Sequence, residues 1–536
     1  MSNRKTPEAH YNWFCNSIER LVNGKDDKEK ASILNEIHNE LENLKNVLKI
    51  PKKPKAVGNF PTPLYPKTES EIEKIVQDAY NKGDTIIRVI GSGHSVKDAI
   101  LDIPPGKKVK LLSLKEFHGV VKIDQENKTV TVKAGTHLNR DPRDKSSTVE
   151  NSLNYIIDQA GYALPDLGGI AHQTVGGFLS TGSSGGSLTY GLEDSIIGIR
   201  IVNGKGKIED LTSSDSKFFA AGVSMGLLGI ITQVTFKLIP KYYIYGNQVC
   251  AVITPLNPDY QEGCPIDLIG DGTPTVPNLH KFFTQGTDYD AEYSRILWWP
   301  QEGVNRLVIW KAKRTSINDT QGYTKPTSPY KEFPEIGGST TNTQIIASIV
   351  FIVLNIISYC DDEWYKKLAA YLLSFFNGVI LQSFQDTWYN GLPMDDKVSD
   401  ILIPTIFTEL WFPIGLTQKL MKKLNELYEK GGNRVVGNNA TELYTARKSL
   451  FWLSPSYEQD VVRIDPFYFE WNPIGTPEEF FNQYWTLFKD DEFRCHWGKY
   501  VPDDYWKNVP KLYTKYDEWM SVRAEMDPKQ VNIHLC

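Results

Sequence analysis

The chain has 536 residues, too many for one ordinary hydrophobic core, so two or more domains are expected. With 40% hydrophobic and 23% charged residues it falls among folded globular proteins, which excludes a disordered chain. A formal net charge of -6 leaves no basic footprint for nucleic acid and points to a small-molecule partner.

Residues 8–48 read as one or two amphipathic helices, because Leu34, Ile37, Leu41, Leu44 and Leu48 recur at helical spacing. Such a stripe packs on the main body or forms a dimer contact. Pro51, Pro54, Pro61, Pro63 and Pro66 then end the pattern as an extended linker. No apolar secretory stretch precedes the first helix, so a cytoplasmic or membrane-associated location is expected. Cys15, Cys250, Cys264, Cys360, Cys495 and Cys536 lie far apart, with neither C-x-x-C nor metal-ligand spacing, so no metal site is assigned.

From Glu71 to Pro240 short β-like runs alternate with helices and glycine-rich turns. Residues 85–90 predict a buried strand ending at Gly91, residues 129–133 an alternating strand, residues 151–160 a helix closed by Gly161, and residues 230–238 a β-branched strand. The layering is α+β rather than a regular βαβ repeat. After Pro240 a second, more aromatic α+β domain follows. Residues 345–357 and 368–381 are almost wholly apolar, yet each is shorter than the ~20 residues that cross a bilayer. They read as a buried helical hairpin or as a monotopic attachment to a membrane surface. The expected organisation is a helical extension over 1–55, a first domain over 56–240, and a second over 241–536 with the apolar insertion near 330–400.

The chemistry concentrates in glycine-rich stretches. Arg88-Val-Ile-Gly91-Ser-Gly93-His94-Ser95 follows a strand, where glycines let backbone N–H groups converge on an anion. A Rossmann fingerprint would need a third glycine at position 96, which is Val96. Taken alone, His94 is a turn histidine with an ordinary hydrogen bond. A second stretch, from Gly168 through Gly176, Gly177 and Gly182 to Gly186, and a third, from Gly222 to Gly229, change that reading. Loops of backbone donors and small hydroxyls can bracket a pyrophosphate from opposite sides, so a large nucleotide cofactor is expected.

In order, R-x-x-G-x-G-H-S, A-G-T at Ala134 to Thr136, Q-T-V-G-G with its following T-G, and V-S-x-G-x-x-G-x-I-T resemble the vanillyl-alcohol-oxidase-type (PCMH) FAD-binding fold over 61–240. The resemblance implies a two-subdomain FAD-binding domain with an α+β substrate-binding cap. It also implies covalent FAD on His94. Ile90, Gly91, Ser92, Gly93, His94 and Ser95 would hold the cofactor with Gly176, Gly177, Thr181, Gly182, Ser183, Gly185 and Gly186, and Ile230 or Ile231 would lie near the adenine. Phe451-Trp-Leu-Ser-Pro-Ser-Tyr457 and His496-Trp-Gly-Lys499 resemble motifs of the aldonolactone and alditol oxidases. That branch implies oxidation of a CH–OH group in a sugar, sugar lactone or polyol, with oxygen or another electron acceptor.

Two departures stand out. The branch's Glu-x-Arg, ten residues before the tryptophan of W-L-S-P, is Glu442-Leu-Tyr444 here, with Arg447 three residues on as a substitute. Its T-H-G is Ser183-Ser184-Gly185. Glu442 and Lys499 are the candidates for gripping substrate hydroxyls, and His496 for a base or orienting group, since an imidazole titrates near working pH. A berberine-bridge-type oxidase is an alternative, but no cysteine lies between Cys15 and Cys250 to make its second flavin bond. A catalytically idle flavin-fold scaffold, using the helices and apolar insertion as contact surfaces, is another.

Overall fold

The computed structural model describes residues 61–96, 106–252, 264–301, 304–315, 328–332, 381–397, 405–437, 440–469 and 475–532, with scattered helical positions at 12–40 and 343–350. Helix α1 (Glu69–Lys82) shows why elements start and stop where they do. The Thr68 hydroxyl caps it by accepting from the Glu71 N–H, Glu69 and Glu71 meet the positive end of its dipole, and Gly83 in the left-handed region closes it. Ile72, Val76 and Ala79, at three- and four-residue spacing, bury its inner face.

Strand β1 (Thr85–Ile90) pairs in parallel with β2 (Lys108–Ser113). Next come β3 (Val120–Asp124), β4 (Thr129–Lys133), α2 (Leu153–Gln159), β5 (Tyr162–Ala163), α3 (Val175–Thr181), β6 (Ile196–Asn203), β7 (Ile208–Thr212), α4 (Ser216–Ala221), β8 (Gly229–Lys237) and β9 (Ile239–Pro240). A five-stranded antiparallel sheet forms in the order β3-β4-β8-β6-β7, and β5 pairs with β9. The strands expected at 85–90, 129–133 and 230–238 and the helix at 151–160 are all present within two residues. Each was marked by β-branched or apolar periodicity, and a glycine follows the first two strands and the helix.

The second sheet begins at β10 (Tyr243–Val252) and takes in β11 (Tyr293–Trp299), β12 (Arg306–Thr315), β13 (Gln382–Thr387), β14 (Thr405–Phe407) and β15 (Leu410–Pro413). After α5 (Thr417–Val436), which breaks at Gly432, come β16 (Thr441–Ala446), β17 (Val461–Phe469), α6 (Pro477–Leu487) and β18 (Arg494–Cys495). The order is β13-β10-β12-β11-β16-β17-β15-β18, with β14 on β17. A reciprocal capping box between Thr476 and Glu479 starts α6, which packs on α5. Trp298, Trp310, Trp388 and Trp411 are fully buried, so much of the aromatic richness serves the core.

The last helix, α7 (Tyr516–Met526), returns to the first domain. Trp519 Nε1 donates to the Ala220 carbonyl at 3.1 Å, Lys217 pairs with Glu525 at 2.6 Å, and the Ile87 N–H donates to the Val531 carbonyl at 2.8 Å. Of the N-terminal stripe only Ile37 falls among the described residues, helical and buried. Of the apolar segment at 345–357, Ile346, Ala347, Ile349 and Val350 fall among them, helical, with Ile346, Ala347 and Val350 buried, whereas 368–381 lies outside them except for Leu381. No helix among the described residues is long and apolar enough to cross a membrane.

Candidate functional site

The first and third glycine stretches and the start of α3 wall one cavity of about 330 Å³, within the range of ligand sites. Of the sequence-predicted residues, Ile90 to Ser95, Gly176, Gly177, Thr181, Ile230 and Ile231 line it. The β1 strand delivers the first turn. At Gly93, φ is +78°, a conformation that lets the chain reverse and present His94 to the cavity. Gly91 lies so close to α3 that a Cβ there would stand 2.6 Å from Thr174 Oγ1. That hydroxyl caps α3 by accepting from the Gly177 N–H at 3.2 Å. The third stretch docks on the same helix through the Met225 N–H to the Ser180 carbonyl, 2.9 Å.

Gly182, Ser183, Gly185 and Gly186 lie beyond this lining, at the seam between the two domains. Ser183 Oγ is 3.2 Å from His496 Nε2, and the Gly186 carbonyl accepts from the Ser294 N–H of β11 at 2.9 Å.

His94 is half-buried. Burial, reinforced by the neighbouring His172 ring and the Arg143 and Lys499 cations, pushes its pKa down to about 2, so the imidazole is neutral. Arg143 Nη2 sits 2.6 Å from His94 Nε2, and a guanidinium only donates, so this nitrogen is the acceptor. Behind it His172 tilts onto the His94 ring with centroids 4.5 Å apart. The His172 carbonyl accepts from Ser92 Oγ at 2.9 Å and from His137 Nδ1 at 2.8 Å. Arg143 and His137 were missed by the sequence reading. Arg143 stands in a charge-dense loop without periodicity, and nothing in that loop marks it as part of the site.

The C-terminal motifs meet this turn directly. The Val96 N–H donates to the Gly498 carbonyl at 2.9 Å, Trp497 lines the cavity, and Trp497 Nε1 donates to the Leu453 carbonyl at 2.6 Å. Thus G-x-G-H-S, W-L-S-P and H-W-G-K, remote in sequence, are one contact region. His496 is buried, and its pKa falls to about 4 because burial disfavours its charge. Its Nδ1 accepts from the Gly498 N–H at 3.0 Å, so Nε2 carries the proton and donates to Ser183. Of the two roles expected for His496, this geometry fits the orienting one. The Lys499 ammonium lies 3.5 Å over the Phe407 ring and within electrostatic reach of His94.

Glu442 lies on β16 in the second domain, buried, with Arg295 Nη1 3.5 Å away. Burial and the nearby Asp395 carboxylate push its pKa up to about 8, against the pull of Arg295 and Arg463. Glu409, which the sequence reading missed, behaves oppositely. Burial opposes its charge, but the Arg463 guanidinium paired with it, joined by His496 and Lys499, outweighs that and holds its carboxyl below the usual range. Two buried carboxyls driven apart in this way give one donor and one acceptor at neutral pH. Arg447 is no substitute for the missing arginine. It points to the surface, bonding the Thr189 carbonyl at 2.6 Å and Asp194 at 3.0 Å. The guanidinium stacked on Tyr444 belongs to Arg463, 3.5 Å from the ring.

The family model described as FAD binding domain matches residues 63–212, and that described as D-arabinono-1,4-lactone oxidase matches residues 273–533. The chain is 30% identical over 320 residues to a D-arabinono-1,4-lactone oxidase from Kluyveromyces lactis, covering 58% of this chain and 49% of the relative. It is 22% identical to an L-gulonolactone oxidase from Scyliorhinus torazame, over 86% of this chain and 91% of the relative. The matched region is about half the length of the K. lactis relative, and 40% of that of a similar lactone oxidase from Eremothecium gossypii. A cholesterol oxidase from Brevibacterium sterolicum shares the fold, with a TM-score of 0.63 at 13% identity over 88% of this chain and 92% of that one. The cavity fits the cofactor named by the first match, since glycine turns at Gly91, Gly93, Gly176, Gly177, Gly226 and Gly229 line it together with the cations Arg88, Lys115 and Arg143. An FAD binding domain followed by a D-arabinono-1,4-lactone oxidase domain is thus the arrangement this chain resembles, and its relatives are named aldonolactone oxidases.

Proposed function

We propose that this protein is an FAD-dependent oxidoreductase that oxidises a CH–OH group of a sugar lactone, sugar or polyol, with FAD attached through His94 and oxygen as acceptor. The observation that carries the reading is the junction of the His94 turn with the H-W-G-K segment, sealed by the Val96 to Gly498 hydrogen bond. It sets a neutral histidine on the cofactor cavity beside a lysine and a group of buried carboxyls. The relatives' names favour this reading over the berberine-bridge-type and scaffold alternatives.

When bound, FAD supplies the hydride acceptor. The chain's own residues grip, orient and move protons. Lys499, raised on the Phe407 ring, donates to a substrate oxygen and meets negative charge as it develops. Glu442, protonated at neutral pH, donates to a hydroxyl, and ionised Glu409 accepts from one. His496 orients Ser183 through its Nε2 proton. On the cofactor side, Ile90 to Ser95, Gly176, Gly177, Thr181, Ile230 and Ile231 would hold the FAD from the cavity lining, and Gly182 to Gly186 would meet it only at the edge of the seam. Buried Ile346, Ala347 and Val350 favour the buried-hairpin reading of the apolar segment at 345–357 over a membrane-surface contact, which co-sedimentation with vesicles tests.

The experiment is an aerobic screen of aldonolactones, alditols and aldoses, following flavin bleaching and peroxide together. Bleaching with stoichiometric peroxide is expected for at least one lactone or polyol. A flavin that none of them reduces defeats the proposal, and bleaching without peroxide transfers the acceptor role from oxygen to another electron carrier.

A further inference from the structure

Strand register gathers an unusual set of residues on one face of the second sheet. Tyr444 of β16 opposes Arg295 of β11 on one side and Arg463 of β17 on the other, and Arg463 opposes Trp411 of β15. Directly paired residues share a face, so Arg295, Tyr444, Arg463 and Trp411 form one row across four strands. Glu442 and Asp465, also paired, stand in the next row. All six are buried. Buried charge on this scale is costly unless paired, so a face built this way needs an organising group.

Arg463 is that group. Its guanidinium pairs with Glu409, contacts the Tyr444 hydroxyl, and lies between the Tyr444 and Trp411 rings at 3.5 and 4.4 Å. Its Nη1 donates to the Ser184 carbonyl at 3.1 Å and to the Gly185 carbonyl at 3.2 Å. Those carbonyls belong to the FAD-binding domain, in the loop after α3. One side chain therefore ties that loop to Glu409, whose carbonyl accepts from the His496 N–H at 3.2 Å. A planar fork makes these contacts at once, and a lysine ammonium cannot. Arg463 also accounts for Tyr444. An arginine at 444 would face Arg463 across the strands at roughly 5 Å, like charge against like, whereas an aromatic ring stacks on it.

We propose that Arg463 is the positioning residue of the substrate face: it fixes Glu409 and clamps Ser184 and Gly185 to the second sheet, and so sets where a substrate hydroxyl lies relative to the FAD cavity. This rests on the lactone or polyol reading above.

The test uses the FAD-loaded protein with Arg463→Met and Arg463→Lys. In Arg463→Met, kcat falls about 100-fold, as for a misplacement of about an ångström, with a smaller change in KM. Because Glu409 loses its cation, the acid limb of the kcat/KM profile moves to higher pH, a change that a purely structural role would not produce. Deuterium uptake rises across residues 180–188. Arg463→Lys returns the acid limb toward the parent position but leaves uptake raised. Parent-like kcat, acid limb and uptake in a folded, flavin-loaded Arg463→Met protein overturn the proposal. If the methionine variant does not fold, an Arg463→Lys protein matching the parent in kcat and uptake overturns it. If the parent protein oxidises nothing in the screen, the proposed function fails separately, and uptake alone then decides whether Arg463 clamps the loop.

Discussion

Gly91 offers a sharp test of how the cofactor cavity is built. In Gly91→Ala the new Cβ stands 2.6 Å from Thr174 Oγ1, 3.7 Å from Thr174 Cβ and 3.8 Å from Gly177 Cα. Only the hydroxyl contact is impossible, so the threonine must rotate away. It then gives up the α3 cap, about 1 kcal/mol, and the tightened packing adds a further ~1–3 kcal/mol. The expected cost is about 2–4 kcal/mol, with weaker flavin retention because α3 forms a cavity wall. Thr174→Ala alone loses the cap, about 1 kcal/mol, but also removes the atom in the way. The double variant should therefore cost about as much as Thr174→Ala alone, a coupling of ~2–4 kcal/mol. Urea unfolding of the four proteins, with flavin absorbance recorded on each, measures the cycle. Additive costs, or an indifferent Gly91→Ala, would refute this packing account.

Other consequences follow from single groups. The His496 pKa is depressed in the folded state, so the unfolded chain binds the extra proton below its ordinary value of 6.5. Stability should be full above that pH and fall as pH drops toward about 4, a loss that His496→Gln removes in pH-dependent unfolding. Burial would raise the Asp491 carboxyl, but Lys419 at 2.6 Å and Lys423 outweigh it and hold it below 3.8. Its contribution is present above that pH and disappears on further acidification, so the penalty of Asp491→Asn should shrink there. Lys499→Met should reduce kcat/KM by about 100-fold or more while FAD stays bound, measured by stopped-flow flavin reduction. Reduction at the parent rate would remove Lys499 from the chemistry.

The legible parts of the sequence were those where one local rule suffices. The β-branched run Thr85 to Ile90, the alternation of Thr129 to Lys133 and the glycines that end them each report on their own neighbourhood, and the fold followed them. Ile90 to Ser95 were also legible as a site, because tight turns near anions require small residues in order. Glu409, Arg463 and Asp465 were not. Arg463 and Asp465 sit on β17, whose partners are far away in sequence, and Glu409 immediately precedes β15, so only the β15-β17-β16 register brings them together. Arg447 looked plausible by nearness in sequence, yet it lies past the end of β16 and faces solvent. Arg143 reaches His94 from the loop between β4 and α2, which nothing in its composition announces.

The central claim is the flavin on His94. The parent protein and His94→Ala, expressed with flavin available, should be denatured in SDS, imaged for in-gel flavin fluorescence, and digested for peptide mass analysis. Fluorescence should migrate with the parent chain, a flavin mass should appear on the peptide holding His94, and His94→Ala should show neither signal. A parent chain that releases all its flavin on denaturation, or a flavin mass on a different peptide, would contradict the claim.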